Sequence, residues 1–573
     1  MTSEYDLVVV GAGWFGLSAA KSYIQFHPEE NVLVLDAASS IGGTWSEDRL
    51  YPGLKSNNLY GSYEYPDFRM SESVYGVKEG QHIPAAVLHR YLNDFAKHFG
   101  VYERTRLNTK VEEITAISSG GWSLTTTNDA RQTAIIETKK LVLATGLTSQ
   151  PNIPEYPGID SFIPPFFHAK DFCIHKETVK SSNKAVVVGS GKSAYDIAYA
   201  FATEGDAQVD LIIRPTGQGP VWLAPPYVTP FKRKLEELLN TRALTWFSPC
   251  PWGDEDGFAI SRNFLHKTAF GRLLVDNYWN AMSADVIEAN GYHDDSQVNK
   301  LKPWNVAFWT GSGLGINNFD TDFFELVKNG KIRPHIADVE KLYGKTVDLT
   351  NGEKLETDVV ICATGWKKEL QLKLSNIGKE GTGLLYTGEA RAKVIRDADR
   401  ETLKEFPGLK HQPVLRFERQ DEEPLRLYRF IVPPTMAFSR NLAFAGMVST
   451  VSTAMFASVQ GLWITAFFDN KLSRMAQTND EVTKEVIRHT QFGKWRYPCG
   501  YGASLPDFAF DALPYVDLLV KDLGLKNHRK NTQIAELFEP YKPWDFKELT
   551  QEFRELHAGV TKFDHPHANG ALS

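Results

Sequence analysis

Two glycine-bearing turns carry the residues best suited to chemistry in this chain: Gly11-Ala12-Gly13-Trp14-Phe15-Gly16 and Gly189-Ser190-Gly191-Lys192-Ser193-Ala194. The spacing is that of a loop cradling a pyrophosphate. Its first glycine makes the tight turn, its second lets backbone approach the phosphates, and its third position needs a small side chain where helix meets strand. Gly16 fills that third position in the first turn and Ala194 in the second. Each unit ends on a charged residue at one offset: Asp36 follows Gly11 by 25 positions, and Arg214 follows Gly189 by 25. A carboxylate there accepts from a ribose 2′-hydroxyl, whereas a guanidinium binds a 2′-phosphate, with Lys192 able to share it. The first unit therefore reads as an FAD site and the second as an NADP(H) site.

These residues need a strand before each turn and a helix after it. Asp6–Val10 and Ala185–Val188 are the apolar strands, and Leu17–Lys21 and Tyr195–Ala198 begin the helices. Val32–Leu35 and Val209–Ile213 are the partner strands that deliver Asp36 and Arg214. Two more apolar strands end in the same small-residue turn, Ala144-Thr145-Gly146 and Ala363-Thr364-Gly365, where backbone can touch a cofactor. Gly43-Thr44-Trp45 forms a loop after the second strand, and Ile83–Leu92 opens an amphipathic helix. The segments around Val111 and Trp122–Leu124 alternate as a small β-meander. Asn351-Gly352 marks a hairpin, and a largely apolar helix from Met455 to Phe468 carries Gln460, which is expected to contact the cofactor.

The expected fold is α/β, with two Rossmann-like dinucleotide-binding domains, the NADPH domain inserted in the FAD domain. The FAD domain takes residues 1–171 and 335–530, and the NADPH domain 172–334. Between about 216 and 310 the nucleotide pattern is interrupted by a helical insertion rich in tryptophan, including a helix from Lys232 to Asn240. It reads either as part of a substrate cavity or lid, or as a structural elaboration. Residues 531–573 read as an extended C-terminal arm.

At 573 residues the chain exceeds one hydrophobic core. A net charge of −7 gives no basic field for nucleic acid. The four cysteines are scattered without CxxC or metal-ligand spacing, so no metal and no redox disulfide is expected. The N-terminus has no signal-peptide pattern, and no apolar run reaches the ~20 residues of a membrane span, so a cytoplasmic location is expected. The expected partners are a small-molecule substrate and O2; oligomeric state stays open.

In these turns the chain resembles the class B flavin-dependent monooxygenases, of the flavin-containing monooxygenase type found in fungi and plants. Phe162-x-Pro164-x-x-x-His168-x-x-x-Phe172 is similar to the family signature F-x-G-x-x-x-H-x-x-x-[FY]. Pro164 replaces its glycine, and Cys173 the basic residue that follows. The resemblance, which spans roughly residues 5 to 470, implies FAD and NADPH as cofactors. It implies insertion of one oxygen atom into a small organic substrate, by N- or S-oxygenation or hydroxylation, via a C4a-(hydro)peroxyflavin, in specialised metabolism. Leu54-Lys55-Ser56-Asn57 is similar to the segment whose asparagine lies near the flavin and the reacting oxygen. That role is carried to Asn57, with Asn58 the alternative if the register slips by one. For His168 the resemblance implies an orienting role in the linker, while the residue itself reads as a buried structural histidine. A Baeyer–Villiger monooxygenase, converting ketones to esters or lactones, is the alternative; it would carry Trp at position 172 and Asp at 57. A non-catalytic flavoprotein scaffold would tolerate loss of the second turn, yet both turns are whole.

Overall fold

The computed structural model describes residues 3–118, 120–228, 232–368, 372–377, 383–384, 386–418 and 423–558. Two sheets organise it. The first has eight strands, in the order Lys373–Ser375, Thr109–Ala116, Trp122–Asn128, Thr133–Leu143, Ser3–Val10, Val32–Leu35 and Thr105–Arg106, with Leu442–Phe444 also pairing to Thr133–Leu143. The second has five strands, in the order Ile332–Ile336, Gln208–Ile213, Lys184–Val188, Val359–Cys362 and Phe166–His168, all parallel. In each sheet the strand before a glycine turn lies between the partner strand and the strand leading into an Ala-Thr-Gly turn. This is a mixed α/β fold with two Rossmann-like units.

The strand pairings correct the expected boundaries. Phe166–His168, expected within 1–171, and Val359–Cys362, expected within 335–530, both belong to the second sheet. An apolar strand carries no local mark of which sheet it joins, so order along the chain alone misplaced them. The chain crosses between units where two segments run antiparallel. The Asn152 N–H donates to the Gly365 carbonyl and the Lys367 N–H to the Gln150 carbonyl, both at 3.0 Å.

The helix Trp14–Phe26 packs along Thr453–Phe468, and a methyl group at Gly461 would stand only 2.7 Å from the Ser18 carbonyl. In the insertion, the helix expected from Lys232 is shorter, Leu235–Leu239, because Arg233–Lys234 instead pairs as a strand with Tyr227–Val228. Ala269–Ala289 is its longest helix. Trp222, Leu238, Trp279 and Phe510 form one buried cluster, so much of the insertion's aromatic content is packing.

The described part of the C-terminal arm is not extended. It forms helices Gln533–Phe538 and Leu549–His557; residues 559–573 lie outside the described residues. The arm is held by a buried ion cluster. Arg242, fully buried in the insertion, donates to Glu536 at 2.7 Å and pairs with buried Asp517. Such a cluster forms only in the folded chain and leaves no periodic signal.

A second buried acid is less well compensated. Asp511 accepts from the Tyr497 hydroxyl at 2.8 Å, but its Oδ2 has no partner, and burial pushes its pKa up to about 7 despite Arg496 nearby. The unfolded carboxyl ionises near 3.8. Between these values the unfolded chain loses a proton that the native fold keeps, so stability falls as pH rises from about 4 to about 7. Asp511→Asn should therefore raise the unfolding free energy read from urea titration at pH 8, by an amount on the order of 2–4 kcal/mol, and far less at pH 5. An equal shift at both pH values would contradict this reading of Asp511.

Candidate functional site

The two turns are built alike. Gly11 and Gly189 both adopt positive φ, +111° and +145°. A methyl group on Gly11 would lie 2.2 Å from the Ala144 carbonyl oxygen, and one on Gly189 would lie 2.3 Å from that of Ala363. Each first glycine thus abuts the alanine of one Ala-Thr-Gly turn. Gly13 caps the helix Trp14–Phe26 and Gly191 caps Lys192–Thr203; neither supplies a side-chain cap, and neither helix has an acid in its first turn. The first N–H donors of both helix ends therefore remain available to an anion, apart from the Ala194 N–H, which donates to the Gly191 carbonyl at 3.0 Å, and the dipole favours an anion there. Gly191, Gly146 and Gly365 face open space, as a ligand cradle requires. At the third position the units differ: a methyl on Gly16 would sit 1.8 Å from the Gly11 carbonyl, whereas Ala194 already fits, fully buried. Ser193 is exposed beside it.

Asp36 closes the first turn. Its Oδ2 accepts from the Ala12 N–H at 2.6 Å and its Oδ1 from the Ala38 N–H at 2.8 Å. Each oxygen keeps lone pairs for a ribose hydroxyl. Burial raises the Asp36 pKa, against these two backbone bonds. Arg214 is exposed at the end of Gln208–Ile213 and makes no hydrogen bond or ion pair among the described residues. Lys192 is otherwise engaged: its Nζ pairs with Asp196, donates to Asn318 at 2.7 Å and lies over Phe319. It does not reach freely over the turn, so Arg214 is the available cation there.

Around the first turn, the Gly42 N–H donates to the Ala12 carbonyl at 3.0 Å, and a methyl on Gly43 would lie 3.0 Å from the Gly13 Cα. Thr44 is exposed, and Trp45 donates to the Tyr63 hydroxyl at 3.2 Å. The Val111 side chain is buried in the meander core, which leaves its backbone for a ligand. Thr145 is half-buried after Ala144, and Thr364 donates to the Asn152 carbonyl at 2.6 Å, tying the second Ala-Thr-Gly turn to the crossover.

Asn57 and Asn58 lie on the strand Lys55–Leu59. The Asn58 amide donates to the Val451 carbonyl at 3.2 Å. The Asn57 amide makes no side-chain hydrogen bond among the described residues, which singles it out as the asparagine free for a ligand. Gln460 departs from expectation. Fully buried, it accepts from the Gly446 N–H and donates to the Tyr515 hydroxyl, both at 3.0 Å, so both ends of its amide are used inside the protein. It braces the Gly446 turn and offers nothing to a ligand directly. His168 is likewise structural: its Nε2–H faces the Gly365 carbonyl at 3.0 Å, and Nδ1 accepts from the Lys170 N–H at 3.1 Å. Burial lowers its pKa and keeps this neutral form.

Three further residues shape the site without any sequence signal. Arg49 donates to the Thr148 carbonyl at 2.6 Å and lies over Trp366, clamping the crossover. Asn318 donates to the Ser56 carbonyl at 3.1 Å, and Glu236 accepts from the Leu59 N–H at 2.8 Å, so both hold the strand that carries Asn57.

The comparisons with known proteins agree with this arrangement. The family model described as pyridine nucleotide-disulphide oxidoreductase matches residues 8–245. The FAD-dependent monooxygenase resA of Aspergillus sclerotiorum is 34% identical over 96% of this chain and 98% of its own. Among solved structures, the fold is similar to cyclohexanone monooxygenase from Rhodococcus sp. Phi1 bound to NADP+, with TM-score 0.61 and 17% identity over 91% of this chain and 98% of that one. It is also similar to S-allyl-L-cysteine S-oxygenase from Allium sativum, with TM-score 0.52 and 16% identity over 97% and 94%. Fold and paired turns define a flavoprotein oxidoreductase with two dinucleotide units. Within that class, the chain belongs to the FAD-dependent monooxygenases. Among the described residues, no helix is long and apolar enough to cross a membrane.

Proposed function

We propose that this enzyme uses NADPH and O2 to insert one oxygen atom into a small organic substrate at nitrogen or sulfur, with FAD on the Asp36 unit and NADPH on the Arg214 unit. The observation that carries the reading is the matched pair of uncapped helix ends, one closed by a carboxylate and the other by an unpaired guanidinium. Bound FAD supplies the two-electron chemistry between the nicotinamide and dioxygen. The chain's own part is to hold and to shield. Asp36 fixes the turn that receives one pyrophosphate, and the Gln460 brace fixes Gly446, which packs on Phe15 of that turn. Asn57 offers a free amide on a strand whose neighbours are tied down, so it can donate to cofactor or bound oxygen without rearrangement. Phe172 and Asn57 occupy the positions where a Baeyer–Villiger enzyme resembling this chain would carry Trp and Asp, which favours attack by nitrogen or sulfur over ketone insertion.

Asn57→Ala tests the assignment. The variant should keep its FAD and still be reduced by NADPH, while the yield of product per NADPH falls about 10-fold in favour of hydrogen peroxide, the order of one lost hydrogen bond. Oxygen-electrode and peroxide assays read both quantities. Unchanged coupling would remove Asn57 from the oxygen-handling role.

A further inference from the structure

An open pocket with charged groups in its wall lies where Tyr60–Ser62 after the Asn57 strand, Lys234–Asn240 of the insertion and Tyr541–Trp544 of the C-terminal arm meet. It neighbours the candidate oxygen site through the backbone. Leu59 ends the strand of Asn57, and Ser452 in the cavity wall follows Val451, whose carbonyl receives the Asn58 amide.

The wall carries Glu79, Glu236 and Glu237 against Lys234 and Lys542. Lys234 is paired with Glu79, and Lys542 lies 3.4 Å from Glu237, so Glu236 has no ion pair of its own among the described residues, although the Lys234 charge acts on it. Glu236 is only 2% exposed. Its Oε1 is saturated by the Leu59 N–H at 2.8 Å and the Ser62 hydroxyl at 2.7 Å, so the carboxyl is fixed in orientation. Its Oε2 is buried without any partner. A lone buried carboxylate oxygen is expensive unless a ligand or a proton satisfies it. Trp544 adds an aromatic face that already attracts cations, with Arg69 4.8 Å and Lys542 5.2 Å from its ring. The fixed carboxyl, with one oxygen open, suits an amine nitrogen. A ketone offers Glu236 only a further acceptor, and a thioether offers no donor.

We propose that this cavity is a binding site for an aliphatic amine, held through its nitrogen by Glu236. As the substrate pocket, it rests on the monooxygenase reading above and narrows it to nitrogen. The amine arrives as R–NH3+ and its proton passes to Oε2, giving R–NH2 and a neutral carboxylic acid. Burial disfavours both charges and so favours this neutral pair, and it holds the Glu236 pKa above the ordinary carboxylate value. The nitrogen lone pair first accepts the new O–H of Glu236, and it becomes a nucleophile when that hydrogen bond opens.

Calorimetric titration of the FAD-loaded enzyme with hexylamine, hexan-1-ol and methyl pentyl sulfide tests the site. The amine nitrogen is the strongest proton acceptor of the three, and one neutral hydrogen bond to the Glu236 carboxyl predicts that hexylamine binds about 10-fold more tightly than the other two, a preference that Glu236→Gln erases while FAD stays bound. Met455→Trp, which narrows the pocket from another wall and leaves the Glu236 side chain in place, should block hexylamine even if Glu236→Gln fails to fold. Equal binding of the three probes by the unmodified enzyme, or an intact preference in Glu236→Gln or Met455→Trp, would overturn the proposal. Reduction of the flavin by NADPH is measured separately: its failure would sink the monooxygenase reading and leave amine binding standing. Normal reduction with no amine preference would sink only the pocket.

Discussion

Gly16→Ala should strip the enzyme of FAD, weakening the cofactor by about 10–100-fold, the range expected for a forced overpacking. The added methyl would stand 1.8 Å from the carbonyl oxygen of Gly11 and 2.9 Å from its carbon, both backbone atoms. Gly11 cannot retreat. Its N–H is held by the Leu35 carbonyl at 2.7 Å, and its own Cα already faces the Ala144 carbonyl. The helix Trp14–Phe26 would have to lift away instead, taking its free N–H groups off the pyrophosphate. The control lies in the other unit, where Ala194 already occupies the corresponding place. Ala194→Gly should leave both cofactors bound. FAD content after gel filtration, with titration of the apoprotein, reads the effect; a fully yellow Gly16→Ala protein of unchanged affinity would refute it.

Arg242→Ala should be the most destabilising change outside the nucleotide turns, at about 3–5 kcal/mol, the cost of leaving a buried charge without its partner. Arg242 is fully buried, as is Asp517, and Glu536 is nearly so. Removing the guanidinium strands two acids at the seam of insertion and C-terminal arm. Adding Asp517→Asn to Arg242→Ala should recover part of the loss, since one uncompensated charge is then removed. Urea midpoints measure both. A single variant within about 1 kcal/mol of the parent, the range of an exposed ion pair, would show that water reaches the cluster.

The parts of this enzyme legible in its sequence are those set by short-range geometry. A tight turn demands glycine at a fixed spacing, so Gly11 and Gly189, both at positive φ, stand out, and Asp36 and Arg214 follow them at one offset. Sheet membership is not of that kind. Phe166–His168 and Val359–Cys362 look alike whether they extend one sheet or the other, and their pairing is a long-range feature of the fold, as is the crossover at Asn152 and Gly365. Gln460 misled because a glutamine on an apolar helix beside a cofactor turn suggests a ligand, while its true partners, Gly446 and Tyr515, lie 14 and 55 residues away. Glu236 had no signal at all. Within Leu235–Leu239 it is indistinguishable from Glu237, and only the fold buries one and leaves the other half-exposed.

Anaerobic reduction of the FAD-loaded protein, with NADPH and NADH compared over a range of concentrations, tests the central division of labour between the two turns most directly. Loss of the oxidised-flavin absorbance gives a rate and an apparent affinity for each nucleotide. Asp36 is committed to its own turn, and Lys192 is engaged by Asp196 and Asn318, so discrimination at the 2′ position falls to Arg214. Charge-assisted hydrogen bonds worth about 1.5–3 kcal/mol predict a 10–100-fold preference for NADPH. Arg214→Ala should bring NADPH down to the level of NADH with FAD content unchanged. Equal reduction by NADH and NADPH in the unmodified protein would contradict the account.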